Sequence, residues 1–401
     1  MENNRRKFLK NSLLGLTGAA LLPGKMIEGS LKSNSDLPPQ LPSRSLGKTG
    51  IKTPLISMGT SNAADPGFIR AAYEAGIRLF FSATYYGEGN NETIVGQALK
   101  GLQRDSFVIG TAAPPDGMDM RSGALSGDFS TEAYIKKAEG SLKRFGLDYV
   151  DFLLFPYASK RETVMNEKVL IALQQLKKQG KTRFVGIASH SGQEEALKAA
   201  ADTKVFDVAM PAYNFKISNK ESMDEAIAYA AKAGMGIVAM KTQAGSARAK
   251  DAPPLNTDAA LKWVLQNENI SSVVSGMNTL EQLKKNLAMI QNIKMTEQEK
   301  YDLKLASADS ATGLYCRQCS SCIPQCPANL DIPAIMRSYM YAYGYRNMEQ
   351  AYYTLAGTEI KGNPCRNCVS CNVRCLSGFD VRMKIEDISR LKNVAPEFLK
   401  A

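Results

Sequence analysis

The chain has 401 residues, 44% of them hydrophobic and 22% charged, as expected of a soluble globular protein with two or three domains and a sizeable core. Its formal net charge is +11, but outside Arg5, Arg6, Lys7 and Lys10 the basic residues are scattered among acidic ones, with no interleaved aromatic stripe, so no nucleic-acid surface is expected. A single histidine, His190, argues against a haem or a mononuclear metal held by histidines.

At the N-terminus, Arg5-Arg6-Lys7-Phe8-Leu9-Lys10 precedes an apolar stretch from Ser12 to Leu22. Paired arginines, a Phe-Leu pair and a modest apolar region resemble a twin-arginine export signal, here residues 1–26, with a plain basic arm as the alternative. The apolar stretch is too short to span a bilayer comfortably, so no permanent membrane span is expected. The resemblance implies export of the folded protein by the twin-arginine machinery and a periplasmic location, with the cytoplasm as the alternative. No clear cleavage site is visible. Residues 27–43, rich in Ser, Pro, Asn and Leu, read as a linker.

From 44 to 295, apolar β-rich runs alternate with amphipathic helical patterns. The runs are 55–59, 79–83, 107–113, 150–156, 184–189, 208–213, 236–242 and 270–276. They are short and nearly continuous in apolar residues, as parallel strands covered on both faces are. The segments between them, such as 131–145 and 168–179, repeat apolar residues at three and four and often follow Ser, Thr, Asn or Asp caps. Eight such units over about 240 residues predict an α/β fold, a (β/α)8 TIM barrel with its chemistry at the strand C-terminal ends, and a doubly wound open sheet as the alternative.

The order Arg44-Ser45-Leu46-Gly47-Lys48-Thr49-Gly50, Tyr86-Gly87-Glu88-Gly89-Asn90-Asn91-Glu92, Leu147-Asp148-Tyr149-Val150-Asp151, Gly186-Ile187-Ala188-Ser189, Tyr213-Asn214 and Gly276 to Asn286 resembles the aldo/keto reductase family. That resemblance implies a barrel that binds NAD(P)H at its C-terminal face and passes hydride to the carbonyl of a small-molecule substrate. It also implies four catalytic roles: aspartate, tyrosine, lysine and histidine. Tyr86 keeps the tyrosine position, but Phe81, Ala112 and Pro156 stand at the other three. A lone tyrosine is a poor acid–base group near neutral pH, so Lys241, at the end of the seventh strand, is the candidate to supply the missing ammonium. On the cofactor side the resemblance implies Ser189, Asn214, Gly276, Met277, Gln282 and Asn286, while His190, Met210 and Met240 depart from the family's nicotinamide pocket. NAD(P)H is thus an open option against which these departures weigh.

Residues 296–401 hold all eight cysteines, in two C-x2-C-x2-C-x3-C runs: Cys316, Cys319, Cys322, Cys326 and Cys365, Cys368, Cys371, Cys375. With every cysteine in these runs, no structural disulfide is expected elsewhere. This spacing wraps a [4Fe–4S] cluster, the fourth cysteine of each run ligating the other cluster. Cys316, Cys319, Cys322 and Cys375 are assigned to one cluster, and Cys365, Cys368, Cys371 and Cys326 to the second. Zinc knuckles or a disulfide scaffold are the alternatives, but zinc sites favour paired C-x2-C with a longer spacer. The segment resembles two-cluster bacterial-type ferredoxins, although Leu376 rather than proline follows the second run and 38 residues (327–364) separate the runs. A small, mainly α-helical ferredoxin-like iron–sulfur domain after the barrel is expected, with Ile335–Tyr353 packed around the clusters. The expected function is an iron–sulfur oxidoreductase that exchanges electrons between a barrel-bound cofactor or substrate and a redox carrier protein. The alternative is an electron-transfer or scaffold protein whose barrel has lost nicotinamide-dependent catalysis.

Overall fold

A hairpin of β1 (Ser43–Ser45) and β2 (Lys52–Pro54) leads into a closed barrel in the computed structural model. The structure describes residues 41–401 except 121, 128, 218, 245–254, 309–315, 317, 345–346, 377 and 400–401. The expected export signal lies outside the described residues. The barrel strands are β3 (Ile56–Gly59), β4 (Leu79–Ala83), β5 (Val108–Ala112), β8 (Val150–Pro156), β9 (Thr182–Ser189), β10 (Val208–Pro211), β11 (Gly236–Ala239) and β12 (Ile270–Gly276). All eight pair in parallel, and β12 returns to β3 with Val273 opposite Ile56 and Gly276 opposite Gly59. A second short hairpin, β6 (Met118–Asp119) with β7 (Ala124–Leu125), sits on the loop after β5.

The continuous apolar runs follow from burial on both faces. On β8, Leu153 and Phe155 join the layer shared with the helices, while Phe152 and Leu154 point into the barrel interior. Asp151 is the polar exception. Its buried carboxylate takes Arg104 at 2.9 Å, Arg183 at 2.8 Å and the amide of Ile109 at 2.8 Å, so the charge is fully partnered and ties three strands together.

Around the barrel run α1 (Pro66–Glu74), α2 (Asn90–Leu99), α3 (Thr131–Phe145), the single turn α4 (Arg161–Val164), α5 (Glu167–Lys178), α6 (Gln193–Thr203), α7 (Lys220–Lys232), α8 (Thr257–Leu265) and α9 (Leu280–Met289). Their limits are chemical. Ser130 caps α3 by accepting from the amide of Ala133, Gly146 ends it at φ 67°, and its buried face is Tyr134, Ala138, Leu142 and Phe145. The strands after α6 and α7 end earlier than the apolar pattern predicts, at Pro211 and Ala239 rather than Tyr213 and Thr242. Lys241 adopts a left-handed φ of 56°, which no extended strand accommodates. The β1–β2 hairpin was not anticipated because it depends on distant contacts: Arg44 donates to the carbonyls of Leu265 (2.9 Å), Asn267 (3.2 Å) and Ile270 (2.6 Å).

Beyond the barrel come α10 (Glu297–Ala308), α11 (Ile332–Tyr339), a π-helical turn (Met340–Gly344), α12 (Met348–Ala356) and α13 (Val381–Ile388). Among the described residues after Ala308 there is no strand. Ile332, Ile335, Met336, Leu355, Ile385 and Ile388 form a separate core that includes Cys322 and Cys365. This helical part lies over the barrel mouth, where Asn347 donates to Asn62 at 2.7 Å and Lys241 to the Tyr341 hydroxyl at 2.7 Å. No described helix is long and apolar enough to cross a membrane.

Candidate active site

The C-terminal ends of the strands and the helical part above them enclose a cavity of about 560 Å³. Its barrel wall carries Phe81, Tyr86, Met210, Met240, Lys241 and Gly276; its roof carries Arg337, Tyr341, Gln350 and Tyr353. Two residues on the wall hold left-handed backbone although neither is glycine: Tyr157 at φ 60° and Lys241 at φ 56°. Such conformations cost on the order of 1 kcal/mol each and concentrate at functional sites.

Four aromatic rings follow one another around the wall. Tyr86 and Tyr85 meet edge to face at 5.2 Å, Tyr85 and Tyr157 lie 5.6 Å apart, and Tyr157 stacks on His190 at 6.0 Å. Burial, with neighbouring tyrosines adding, pushes the pKa of Tyr85 and of Tyr86 above the ordinary tyrosine value. For Tyr157 burial also prevails, against the opposing charge of Arg337. Tyr341 goes the other way. Burial pushes its hydroxyl up, but the charge and hydrogen bond of Lys241, together with Arg337, outweigh it and hold the group below the ordinary value. His190 is kept well below the usual histidine range by burial and by the charges of Arg337 and Lys241, so the imidazole is neutral at pH 7. Its Nδ1 is buried with no hydrogen-bond partner among the described residues.

Of the residues singled out from the sequence, Tyr86, Lys241 and Gly276 line this cavity together. The others have different surroundings. Ser189 is buried and donates to the carbonyl of Ser191 at 2.8 Å. Asn214 is buried, accepts from the amide of Lys216 and faces a neighbouring hollow. The Met277 side chain is fully buried in the outer core. Gln282 accepts from the amide of Asn278 at 2.9 Å at the start of α9, and buried Asn286 donates to Ser275 Oγ at 3.3 Å. Lys241 pairs with Tyr341 rather than with Tyr86. Tyr341 and Arg337 are among the cavity residues that sequence reasoning missed. Both lie in the tyrosine-rich segment between the cysteine runs, which carried no barrel pattern.

Two of the three altered positions, 81 and 112, are consistent with one another. Phe81 is turned inward among Leu79, Ala112, Phe152 and Leu154, and Gly110 on the next strand makes room for it, since a Cβ there would lie 2.9 Å from the Phe81 ring. An aspartate at 81 would face Ala112, which offers no ammonium, so the loss of one charge accompanies the loss of the other.

The sequence profile of the aldo/keto reductase family matches residues 56–258, half of the chain. The chain belongs to the aldo/keto reductase family. It is similar to the L-galactose dehydrogenase of Arabidopsis thaliana, 28% identical over 296 residues, covering 62% of this chain and 87% of that one. It is also similar to the L-glyceraldehyde 3-phosphate reductase of Escherichia coli strain K12, 24% identical over 337 residues, covering 69% and 95%. Its fold resembles an aldo-keto reductase from Klebsiella pneumoniae in complex with NADPH, with a TM-score of 0.53, 20% identity, and 67% and 96% of the two chains covered. An aldo-keto reductase from Bacillus halodurans in its holo form gives a TM-score of 0.53 at 20% identity, covering 66% of this chain and 96% of that one. The protein is accordingly an oxidoreductase of aldo/keto reductase type on an eight-stranded parallel barrel.

The cysteine-bearing end lies beyond the segment that the family profile matches. Cys316, Cys319, Cys322 and Cys375 line one hollow with Ile332, Met336 and Phe379. Gln318 and Ser320 turn the first run through left-handed φ values of 58° and 59°, and the Gln318 amide donates to Cys316 Sγ at 3.5 Å. Cys365 lies within electrostatic reach of Cys368, Cys371 and Cys326. Each foursome thus takes three cysteines from one run and the last from the other. Burial, with the neighbouring thiols adding, pushes Cys316 up to about 12, and Cys322 and Cys365 up to about 11. Among the described residues, no group of three or more His, Cys, Asp or Glu is placed to hold a metal ion.

Proposed function

We propose that the protein is an iron–sulfur oxidoreductase whose barrel cavity takes a small-molecule substrate with a carbonyl or the corresponding hydroxyl at the reacting carbon. Cys316, Cys319, Cys322 and Cys375 would hold one [4Fe–4S] cluster, and Cys365, Cys368, Cys371 and Cys326 the other. Four thiols around an apolar hollow, with a backbone amide donating to one sulfur, are the donor set such a cluster takes. When bound, the clusters supply one-electron transfer and a nicotinamide supplies a two-electron step. The observation that carries the reading is a second small hollow in which Cys316 meets His190, Lys241 and Arg337. A cluster on the first cysteine set would therefore be near enough to the barrel mouth to exchange electrons there.

Within the cavity, the residues can bind, orient and shield a substrate. Arg337 and Lys241 bring positive charge to the mouth, the neutral ring of His190 can meet a substrate oxygen, and Phe81, Met210 and Met240 exclude water. NAD(P)H is the cofactor proposed for the floor of this cavity beside Gly276. The capped start of α9, with Thr279 accepting from the amide of Gln282, can receive a phosphate. A redox carrier protein is the proposed partner for the cysteine-bearing end. The twin arginines support export of the folded protein to the periplasm.

A second reading has its own support: Phe81, Ala112 and Pro156 leave three of the family's catalytic roles empty, as in a barrel kept as a scaffold. One experiment separates the two. Protein purified without oxygen is assayed for iron, sulfide and bound nucleotide, and then mixed with NADH or NADPH while cluster absorbance and electron paramagnetic resonance are followed. Cluster reduction by nucleotide, or nucleotide carried through purification, supports the enzyme. Clusters that respond to dithionite and to neither nucleotide favour the scaffold. Fewer than about four irons per chain in protein prepared this way would overturn the cluster assignment.

A further inference from the structure

We propose that Tyr341, contributed by the helical part above the barrel, is the proton donor of the barrel's reaction, and that Lys241 is the residue that holds it ready. The inference rests on the oxidoreductase reading above and moves the acid–base role from Tyr86, where the family pattern puts it, to a residue beyond the matched segment 56–258.

The geometry is specific. Lys241 Nζ donates to the Tyr341 hydroxyl at 2.7 Å and lies 4.7 Å from the centre of its ring. Lys241 reaches this place from the end of β11 on a left-handed backbone that a lysine adopts only when its surroundings impose it. Five tyrosines line the cavity: Tyr85, Tyr86, Tyr157, Tyr341 and Tyr353. Among the described residues, Tyr341 is the one of these whose hydroxyl takes a hydrogen bond from a cation. The charged and titratable groups that face it are Lys241, Arg337 and the hydroxyls of Tyr85, Tyr86 and Tyr157, and burial, which opposes ionisation, is outweighed by the two cations. The other four are shifted towards staying protonated, which makes them poor proton relays.

The step balances as a carbonyl reduction. The carbonyl carbon accepts a hydride, two electrons and a proton nucleus, from a reductant of the dihydronicotinamide class. The Tyr341 O–H bond breaks, and its proton goes to the carbonyl oxygen to give the alcohol. The Lys241 ammonium stabilises the tyrosinate left behind, which is reprotonated from solvent. In the oxidative direction the tyrosinate takes the alcohol's proton. The site is then incomplete without the cysteine-bearing part, which makes that part catalytic as well as a route for electrons.

The test uses the full chain, purified without oxygen, with NADPH and 4-nitrobenzaldehyde as the probe pair. Tyr341→Phe should lower kcat by about 100-fold or more with little change in KM, and Tyr86→Phe should lower it less. Reduction by the wild type should fall as pH rises through the lowered pKa of Tyr341. Lys241→Met should move that limb to higher pH, and Lys241→Arg should restore it. A readout that needs no turnover accompanies this: tyrosinate absorbance near 295 nm, titrated as a difference spectrum. One tyrosine should ionise early in the wild type, be missing in Tyr341→Phe and ionise late in Lys241→Met. Undiminished turnover in Tyr341→Phe, or an inactive Tyr86→Phe beside it, overturns the proposal. If the wild type reduces no aldehyde with either nucleotide, the reductase reading fails by itself. The titration then decides the pair: an early tyrosine lost in Tyr341→Phe supports it, and no early tyrosine overturns it. Should Tyr341→Phe fail to fold, the pH limb and titration of Lys241→Met decide the question.

Discussion

Replacing Phe81 by aspartate would place a carboxyl in an apolar layer of the barrel interior, with Ala112 rather than a lysine on the neighbouring strand. Phe81 is 4% exposed and Ala112 is fully buried. Two losses add. Removing the packed ring costs about 3 kcal/mol. The new carboxyl must then sit among Leu79, Ala112, Phe152 and Leu154, where it takes up a proton and still lacks a partner, for about 2 kcal/mol more. The sum of about 5 kcal/mol compares with a total stability of about 5–15 kcal/mol for a folded domain. Trp263, the one tryptophan of the chain, lies 5.0 Å from Tyr213 and reports on the barrel by fluorescence during urea unfolding. Phe81→Asp should lose most of the barrel's stability or fail to accumulate, while Phe81→Leu should lose only about 1 kcal/mol. A Phe81→Asp protein within about 1 kcal/mol of wild type would refute the apolar interior described for this site.

Three further outcomes are expected. Gly96→Ala should destabilise by about 2 kcal/mol despite alanine's better helix propensity, because its Cβ would lie 2.3 Å from the Phe145 carbonyl oxygen where α2 crosses α3; an unchanged urea midpoint would contradict that close approach. Cys375→Ser should alter the same cluster signal as Cys316→Ser, although the two residues belong to different runs, and leave the signal sensitive to Cys365→Ser intact; grouping by run instead would break the crossed assignment. The resonances of His190, the sole histidine, should stay flat from pH 6 to 8, because its folded pKa lies well below the usual value and the ring is already neutral throughout that window; a midpoint near 6.5 would show the ring to be solvated.

The barrel was legible in the sequence because each unit carries its own signal. Strands covered on both faces must be apolar throughout, and helices on the outside must be apolar on one stripe, so Leu79–Ala83, Val150–Pro156, Thr131–Phe145 and Ile270–Gly276 emerge with the same limits in pattern and in structure. The short hairpins were hidden because a strand of two or three residues holds no periodicity and depends on distant partners, as Arg44 depends on three carbonyls more than two hundred residues away. The candidate site divides along the same line. Tyr86, Gly276 and Lys241 could be placed at the mouth by counting strands, whereas Ser189, Asn214 and Met277 follow the family pattern but direct their side chains into other surroundings.

Sequence alone pointed to the family and the barrel and held the two repeated cysteine runs, since these are carried by residue type and by the order and spacing of motifs along the chain. That Lys241 serves Tyr341 rather than Tyr86 depended on how the segment after the barrel folds back over its mouth. That docking brings together residues 100 and 285 positions apart through single contacts such as Lys241–Tyr341 and Asn62–Asn347. No periodicity encodes such contacts, because a side chain's partner across two packed units is fixed by the position and angle of both, and these exist only once the whole chain has folded.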